Sequence, residues 1–227
     1  MSDPGNLQLP LGEWLAPLEA TVMQLWSELL LASPEKKRLL FTGTADGDGV
    51  TTVAAVAALG IARNLRRRTL LIETNVRRPG LAAFLGTDGP GFAEFCRGEA
   101  PIQQAIRTTD TPLLHAIVAG QASTSAGLFA EKGVSDLLDG LGGVYDRIVI
   151  DAAPVADHPD TLLLVRKCDA VAIVACAHRS RGAAIRATAA RLRATGVPLV
   201  GTVLNQVRSR VPRWLESAPA PAAQHRG

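Results

Sequence analysis

The sequence predicts a doubly wound α/β fold, in which helices cover both faces of a mainly parallel sheet. Two observations support this fold class. Short continuous runs of Val, Ile and Leu recur along the chain, and such runs are typical of strands that are buried on both faces. Segments with helical spacing of apolar residues separate the runs. This alternation indicates crossover connections between parallel strands.

The predicted elements follow in a regular order. The predicted strands are RLLFTG (38–43), TLLIET (69–74), LLHAIVAG (113–120), DRIVIDAAPV (146–155), AVAIVACA (170–177) and PLVGTVLNQV (198–207). The predicted helices cover 51 to about 66, a helical region at 80–107, and segments near 128–141, 160–167 and 181–194. A single α/β domain at 35–215 contains all of these elements.

The segments that flank this domain differ from it in composition. We expect residues 1–10 to form a flexible arm and residues 11–34 to form an N-terminal helix, because apolar residues recur there at helical spacing. The Ala/Pro-rich residues 216–227 are expected to be disordered. The sequence shows neither a signal peptide nor an apolar run of about 18 residues. We therefore expect a cytoplasmic protein, which reaches the inner face of the membrane only through a partner.

The charge balance argues against nucleic acid as the main partner. The chain has 24 basic and 21 acidic residues, which gives a net charge of only +3, whereas nucleic-acid-binding domains are usually strongly basic. The densest basic run is RNLRRR at 63–68. We interpret it as solvated charge at the end of a helix, with contact to phosphate or acidic lipid as the alternative.

The segment LLFTGTADGDGVTT at 39–52 has the pattern of a phosphate-binding loop between a strand and a helix. In such loops backbone N–H groups hold phosphate oxygens, a lysine supplies charge to the outer phosphates, and a Ser or Thr hydroxyl binds Mg²⁺. Gly47, Gly49 and Thr51 keep this pattern, but Val50 occupies the lysine position. The alternative is a glycine turn that only joins the strand to the helix.

Two carboxylates in the same loop affect its charge. Asp46 and Asp48 are expected where an anion would arrive. Like charges about 4 Å apart repel by roughly 1 kcal/mol in water and about 4 kcal/mol near a protein surface. We therefore expect the loop to oppose binding of a triphosphate unless Mg²⁺ intervenes.

Three further segments contain longer motifs. LLIETNVRRPGLAAFLG at 70–86 is similar to the pattern LLIDADxRRPxLHxxLG, YDRIVIDAAPV at 145–155 to YDxVIIDTPPV, and GVPLVGTVLNQV at 196–207 to a strand that ends GxVxGxVLNxx. In these motifs the chain resembles the bacterial tyrosine kinases of capsule and exopolysaccharide assembly, which are relatives of the MinD and ParA class of P-loop ATPases. The resemblance covers roughly residues 15–210 and implies a P-loop NTPase-like fold.

The resemblance also implies a set of site residues. The ATP site would consist of Gly47, Gly49, Val50, Thr51, Thr52 and Asn205, the last at the position that reads adenine. The candidate Mg²⁺ ligands are Thr51, Glu73 and Asp151, of which Glu73 and Asp151 are also the residual candidates for catalysis. Asn75 replaces a family carboxylate and cannot act as a base. These residues leave open whether ATP or ADP binds with Mg²⁺.

Taken together, the replacements favour a degenerate, kinase-like protein in which phosphotransfer or ATP hydrolysis is weak or absent. It would act as a regulatory or scaffold partner in exopolysaccharide or capsule biosynthesis and export. The implied partner is a membrane-anchored polysaccharide copolymerase or another export protein, with self-association also open. The alternatives are a weak ATP-binding kinase or ATPase with an altered phosphate site, and a ParA-like DNA-partitioning protein. We expect no autophosphorylated tail, because the last residues contain no tyrosine.

Overall fold

A computed structural model of the chain describes residues 36–85, 89–122, 127–129 and 132–207. The arm and helix predicted at 1–34 and the tail predicted at 216–227 lie outside these residues.

A seven-stranded sheet forms the centre of the described structure. Its strands are β1 (Arg38–Gly43), β2 (Thr69–Glu73), β3 (Ile106–Thr108), β4 (Leu114–Ile117), β5 (Arg147–Asp151), β6 (Ala170–Cys176) and β7 (Leu199–Asn205). Their order across the sheet is β3-β4-β2-β5-β1-β6-β7. All neighbouring pairs are parallel except β3 with β4, which are antiparallel. The predicted doubly wound, mainly parallel fold is confirmed.

Helices cover both faces of this sheet. They are α1 (Val50–Asn64), α2 (Leu81–Leu85), α3 (Phe92–Cys96), α4 (Ile102–Ala105), α5 (Lys132–Gly142), α6 (Thr161–Val165) and α7 (Gly182–Arg193). On one face α1 packs on side chains such as Leu39 and Val149. The other face, which includes Leu40 and Ile148, is covered by residues of α5 and α7 such as Leu138 and Leu192. Burial on both faces explains why β6 is apolar throughout and why the central residues of β2 and β5 are apolar.

The helical region predicted at 80–107 is only partly correct. It contains three short helices, but β3, a strand of three residues at the edge of the sheet, begins at Ile106. The residues of β3 are half-buried or exposed, so they lack the continuous apolar run that predicts the central strands. Pairing with β4 satisfies their backbone, and this pairing depends on residues distant in sequence.

The topology brings three strand ends together. Glu73 at the end of β2 pairs with Asp151 at the end of β5. Phe41, near the end of β1, pairs with Asp151 on the other side. Open α/β sheets bind ligands in the crevice outside the carboxyl ends of such strands. The loop that follows β1 lies at this edge.

Candidate functional site

The loop between β1 and α1 has a backbone that requires glycine at two positions. Gly47 has φ 80° and Gly49 has φ 85°, and a side chain is strained in this left-handed region. A Cβ at Gly49 would also collide with the amide nitrogen of Asn205. Because Gly49 immediately precedes the first turn of α1, the free N–H groups of the helix begin at the loop.

The structure corrects the expected position of Asp48. Its side chain is completely buried inside the loop. Oδ2 accepts hydrogen bonds from the backbone N–H groups of Thr44 (2.8 Å) and Ala45 (3.0 Å) and from the Thr44 hydroxyl (2.6 Å). Oδ1 accepts from Arg179 (2.9 Å) and Ser180 (3.0 Å). Asp48 therefore holds the loop together and does not face an arriving anion.

These hydrogen bonds decide the ionisation of Asp48. Burial by itself raises the pKa of this carboxyl group, but the hydrogen bonds from Thr44, Arg179 and Ala45 outweigh burial and hold the pKa below its usual value. Asp48 is therefore charged at neutral pH, and Arg179 compensates that charge across 2.9 Å.

A cleft of about 130 Å³ opens between the loop and the ends of β2 and β5. Its wall includes several predicted site residues: Gly47, Gly49, Val50, Thr51 and Asp151. Asp46, Asn75 and Arg78 also line it, whereas Thr52, Glu73 and Asn205 do not. Small-molecule sites usually enclose about 300–1,000 Å³, so the cleft itself has room for phosphate groups, and the rest of a nucleotide would extend beyond it.

Val50 packs into the loop instead of presenting a charged end to the cleft. Its side chain is 9% exposed, and its Cγ2 atom lies 3.1 Å from the place that a Cβ on Gly43 would occupy. A lysine at this position would carry a compact ammonium group on a flexible stem. Valine offers only apolar surface to a phosphate.

The two arginines beside the loop are each paired with one of its aspartates. Arg78 contacts Asp46, with 3.3 Å between Nε and Oδ2. Arg179 contacts Asp48 and also donates to the backbone carbonyl of Asp46 (2.7 Å). Because each arginine is balanced by a carboxylate, neither supplies the uncompensated positive charge that the missing lysine would have supplied.

Asp151 is the carboxylate best placed to bind a cation. It is 2% exposed, and its Oδ2 atom has no hydrogen-bond partner among the residues that the structure describes. Burial raises the pKa of Asp151 to about 8, a hydrogen bond from Thr51 opposes this rise, and the charge of Glu73 adds to it. A buried carboxylate oxygen without a donor, beside a threonine hydroxyl, fits the hard oxygen ligands that Mg²⁺ prefers.

The raised pKa of Asp151 predicts a particular pH dependence of stability in Mg²⁺-free buffer. Between about pH 4 and pH 8 the folded protein retains a proton that the unfolded chain has released, so the contribution of Asp151 to stability decreases as the pH rises. In Asp151→Asn this contribution is absent. The stability of the variant relative to wild type should therefore increase from pH 4 to pH 8 and then level off. Urea unfolding at several pH values measures this, and parallel curves would contradict it.

Glu73 lies beside the cleft, but its carboxylate contacts backbone N–H groups outside the cleft. Oε1 accepts hydrogen bonds from the backbone N–H groups of Gly80 (2.5 Å) and Leu81 (2.7 Å), where α2 begins. Oε2 accepts from the N–H of Ala119 (3.0 Å), which follows β4. The side chain is fully buried, and burial raises its pKa against the effect of these three bonds. Glu73 thus connects β2 to α2 and to β4, a role that the sequence analysis did not foresee.

The three donors predict that Glu73→Gln will be destabilising. All three partners of the carboxylate are N–H donors. In glutamine one of the two oxygens is replaced by an NH₂ group, which cannot accept a hydrogen bond from such a donor. We expect a loss of about 2 kcal/mol in the free energy of unfolding, the size of a buried unsatisfied donor. Glu99→Gln, on an exposed carboxylate, is the matched control. Urea unfolding compares the two, and equal midpoints would contradict the role of Glu73.

Asn205 also has a role in holding the loop. Its Nδ2 donates to the carbonyl of Asp48 (3.0 Å), and its Oδ1 accepts from the N–H of Gln206 (2.9 Å). The residue is 8% exposed. Both ends of the amide are engaged by backbone groups, so Asn205 fastens the end of β7 to the loop. Its role in adenine recognition stays a prediction.

Arg179 and Ser180 were missed by the sequence analysis. They follow β6, more than 130 positions after the loop that they contact. Neither belongs to a recognisable motif. The pairing of β1 with β6 places the segment after β6 beside the phosphate loop, and the sequence pattern does not show which strands pair.

Comparisons with known proteins agree with the overall fold. No protein-family model matches the chain. A curated relative, the tyrosine-protein kinase CpsD of Streptococcus pneumoniae, is 26% identical over 205 residues, covering 89% of this chain and 90% of that protein. The solved kinase domain of VpsO is 28% identical with a TM-score of 0.74, over 84% of this chain and 96% of that domain.

A more distant likeness concerns the fold alone. The septum site-determining protein MinD of Pyrococcus horikoshii, solved in complex with Mg-ADP, is 20% identical with a TM-score of 0.62. The alignment covers 79% of this chain and 75% of that one. The described sheet and its helices therefore have the arrangement found in both bacterial tyrosine kinase domains and MinD-like P-loop proteins.

Proposed function

Because this chain is a relative of the bacterial tyrosine kinases, we propose that it is a degenerate member that acts by binding a protein partner in exopolysaccharide or capsule assembly. The observation that carries this proposal is Val50, which occupies the lysine position of the phosphate loop and is packed against the loop itself. The nucleotide site would keep the backbone shape of the loop, while its phosphotransfer activity would be weak or absent.

The loss of the lysine charge would affect the neutralisation of phosphate charge, on which phosphotransfer depends. Enzymes that transfer phosphoryl groups work mainly by positioning them and neutralising the charge that develops on their oxygens. In this cleft the lysine charge is missing, and Arg78 and Arg179 are paired with Asp46 and Asp48. Little positive charge remains to stabilise a transition state.

A second deficiency concerns the base. Asn75 lines the cleft at the position where the family pattern has a carboxylate, and an amide cannot accept a proton from a substrate hydroxyl. Glu73 does not replace it, because both of its oxygens accept hydrogen bonds from backbone N–H groups outside the cleft. We therefore expect slow or absent phosphotransfer even if ATP binds.

The cleft still fits a metal ion. Thr51 and Asp151 would hold Mg²⁺, which would supply charge neutralisation to bound phosphates. Glu73, an earlier candidate ligand, is better explained as a connection between β2, α2 and β4.

The proposed partner is a membrane-anchored polysaccharide copolymerase or another polysaccharide-export protein. The support for this partner is similarity to tyrosine kinases such as CpsD, not a surface on the chain. None of the helices in the described ranges has the length and apolar character needed to cross a bilayer. Within the proposal, the protein works in the cytoplasm and approaches the membrane through its partner.

One observation favours a second function, that of a weak ATP-binding kinase or ATPase. The backbone of the loop keeps the left-handed glycines Gly47 and Gly49, and Asp151 keeps an oxygen that no donor satisfies. A site that had only structural value would not need a buried carboxylate in this state. If ATP is turned over, Asp151 is the residue on which turnover would depend.

Measurement of phosphotransfer separates the two functions. The purified protein is incubated with radiolabelled Mg-ATP, alone and with the cytoplasmic segment of a copolymerase. We expect no transfer of label above the level of Asp151→Asn, which serves as the matched control. Turnover that Asp151→Asn abolishes would refute the degenerate assignment and support the weak enzyme.

A further inference from the structure

A second, larger groove lies on the face of the sheet covered by α5. It encloses about 720 Å³ between α3, α4 and α5, over the edge formed by β3 and β4. Its apolar walls consist of Phe95, Ile102, Ile106, Leu137, Leu141 and Val144. This volume is within the range of sites that enclose a small molecule. None of its lining residues belongs to the cleft at the phosphate loop.

The groove has one polar end. Arg68, immediately before β2, and Tyr145, two residues before β5, lie there together with His115. This end is therefore at the amino ends of the parallel strands, whereas the phosphate loop follows the carboxyl end of β1. The groove is a separate site from the cleft that the proposed function concerns.

The polar groups at this end are held in a fixed arrangement. The guanidinium group of Arg68 lies 5.3 Å from the centre of the Tyr145 ring, within the range of a cation–π contact. The Tyr145 hydroxyl is 2.7 Å from Nδ1 of His115, and the two rings meet edge to face at 5.6 Å. Tyr145 is only 3% exposed, so packing around it holds the three side chains in place.

The guanidinium group of Arg68 makes no ion pair with a carboxylate among the residues that the structure describes, although the arginines at the phosphate loop each do. The carboxylate of Asp146, which lies just before β5, accepts a hydrogen bond from the backbone N–H of Arg68 (2.9 Å) and not from its guanidinium group. A cation at the mouth of an apolar groove is complementary to an anion that carries apolar surface.

The apolar part of the groove is accessible. Val144 lies at the edge of the groove and is 51% exposed, although it is next to other apolar side chains of the groove. Covering such surface is favourable by about 25 cal/mol per Å² of apolar area. An apolar chain placed between α4 and α5 would cover it.

We propose that this groove binds a small amphiphile, whose anionic head contacts Arg68 beside His115 and whose apolar chain lies between α4 and α5. The head can be a carboxylate or a phosphate, since both accept hydrogen bonds from a guanidinium group. The ligand class is therefore a fatty acid or a lipid phosphate.

Calorimetry with four probes of equal chain length tests the proposal on the full chain. The probes are dodecanoate, dodecyl phosphate, dodecanol and dodecyltrimethylammonium, each below its micelle concentration. We expect at least one anionic probe to bind at least tenfold more tightly than the neutral and cationic probes. Preference for dodecyl phosphate would identify a lipid phosphate, and preference for dodecanoate a fatty acid. Equal affinity for all four, or no binding, would overturn the proposal.

Two pairs of variants locate the site. Arg68→Gln should weaken binding of the anionic probe at least fivefold, while Arg67→Gln, its neighbour outside the groove, should leave it within twofold. A Cβ at Gly140 meets no atom within 4 Å, so Gly140→Leu should fill the groove and abolish binding, and Gly140→Ala should weaken it far less. Unchanged binding in Gly140→Leu would overturn the assignment.

A spectroscopic measurement distinguishes the groove from other surfaces. Addition of the anionic probe should shift the ring signals of His115 in a ¹³C-labelled sample and leave those of His158 and His178 in place, since neither lines the groove. If a segment of the chain itself fills the groove, no probe binds and Gly140→Leu lowers stability. That outcome would also overturn the proposal.

Discussion

Val50→Lys is expected to increase the affinity for Mg-ATP by tenfold or more. The loop backbone around this position keeps its left-handed glycines, and Thr51 and Asp151 stay in the cleft. A lysine ammonium group would therefore meet phosphate oxygens at a loop that keeps its backbone shape and its candidate Mg²⁺ ligands. A hydrogen bond to a charged group contributes about 1.5–3 kcal/mol, and about 1.4 kcal/mol corresponds to a factor of ten in Kd. Calorimetric titration with Mg-ATP measures the change.

The matched control for this variant is Val50→Met. Methionine has an unbranched side chain like lysine but no charge, so it reports the effect of altered packing at a buried position. We expect it to leave the affinity within twofold of wild type. If Val50→Lys gains no more than Val50→Met, the cleft has lost more than its charge. Because Asn75 persists in the variant, we expect the gain to be in binding and not in phosphotransfer.

Asp48→Ala is expected to produce the largest loss of stability at the site, about 3 kcal/mol. The substitution leaves the N–H groups of Thr44 and Ala45 without their acceptor and Arg179 without its carboxylate. A buried donor that loses its partner costs about 1–3 kcal/mol. Arg179 adds little, because it is 52% exposed and can be solvated. Thermal unfolding should show a decrease in Tm of roughly 6–12 °C for a domain of this size.

The stability loss in Asp48→Ala should depend on pH. The folded pKa of Asp48 is lowered, so its contribution to stability is present above its unfolded pKa and is lost as the pH falls through its folded pKa. The difference in the free energy of unfolding between wild type and Asp48→Ala should therefore be largest at pH 7 and smaller in acid.

Asp46→Ala is the control, since it removes the other loop aspartate, whose partner Arg78 is 72% exposed. It should cost less than about 1 kcal/mol in the free energy of unfolding. Equal losses in both variants would show that burial of Asp48 has no special role.

The central strands could be predicted because their signal is local. β2, β5 and β6 are buried at every residue and have apolar centres, and an apolar run of this kind indicates a strand whatever its partners are. β3 could not be predicted, because its three half-buried or exposed residues form a strand only through pairing with β4. The helical region expected at 80–107 is only partly correct for the same reason, since local pattern cannot show where tertiary contacts interrupt it.

At the site, the sequence indicated several of the residues that line the cleft, but not which way the neighbouring side chains point. Val50, Thr51, Asn75 and Asp151 do line one cleft. Asp48 was placed in the path of an anion, whereas it points into the loop and pairs with Arg179, a contact across 131 positions that no motif encodes. Glu73 likewise satisfies backbone N–H groups of α2 and Ala119. Such orientations depend on hydrogen-bond donors that only the folded chain brings near.

The measurement that tests the central claim most directly is calorimetric titration of the wild-type protein with ATP, with and without Mg²⁺. The site should be weak because Val50 is packed into the loop and the arginines beside it are already paired. We expect a Kd for Mg-ATP of about 1 mM or weaker, which corresponds to a binding free energy no more favourable than roughly −4 kcal/mol. Micromolar binding of Mg-ATP that Asp151→Asn abolishes would contradict the account, because it would show a working nucleotide site without the lysine.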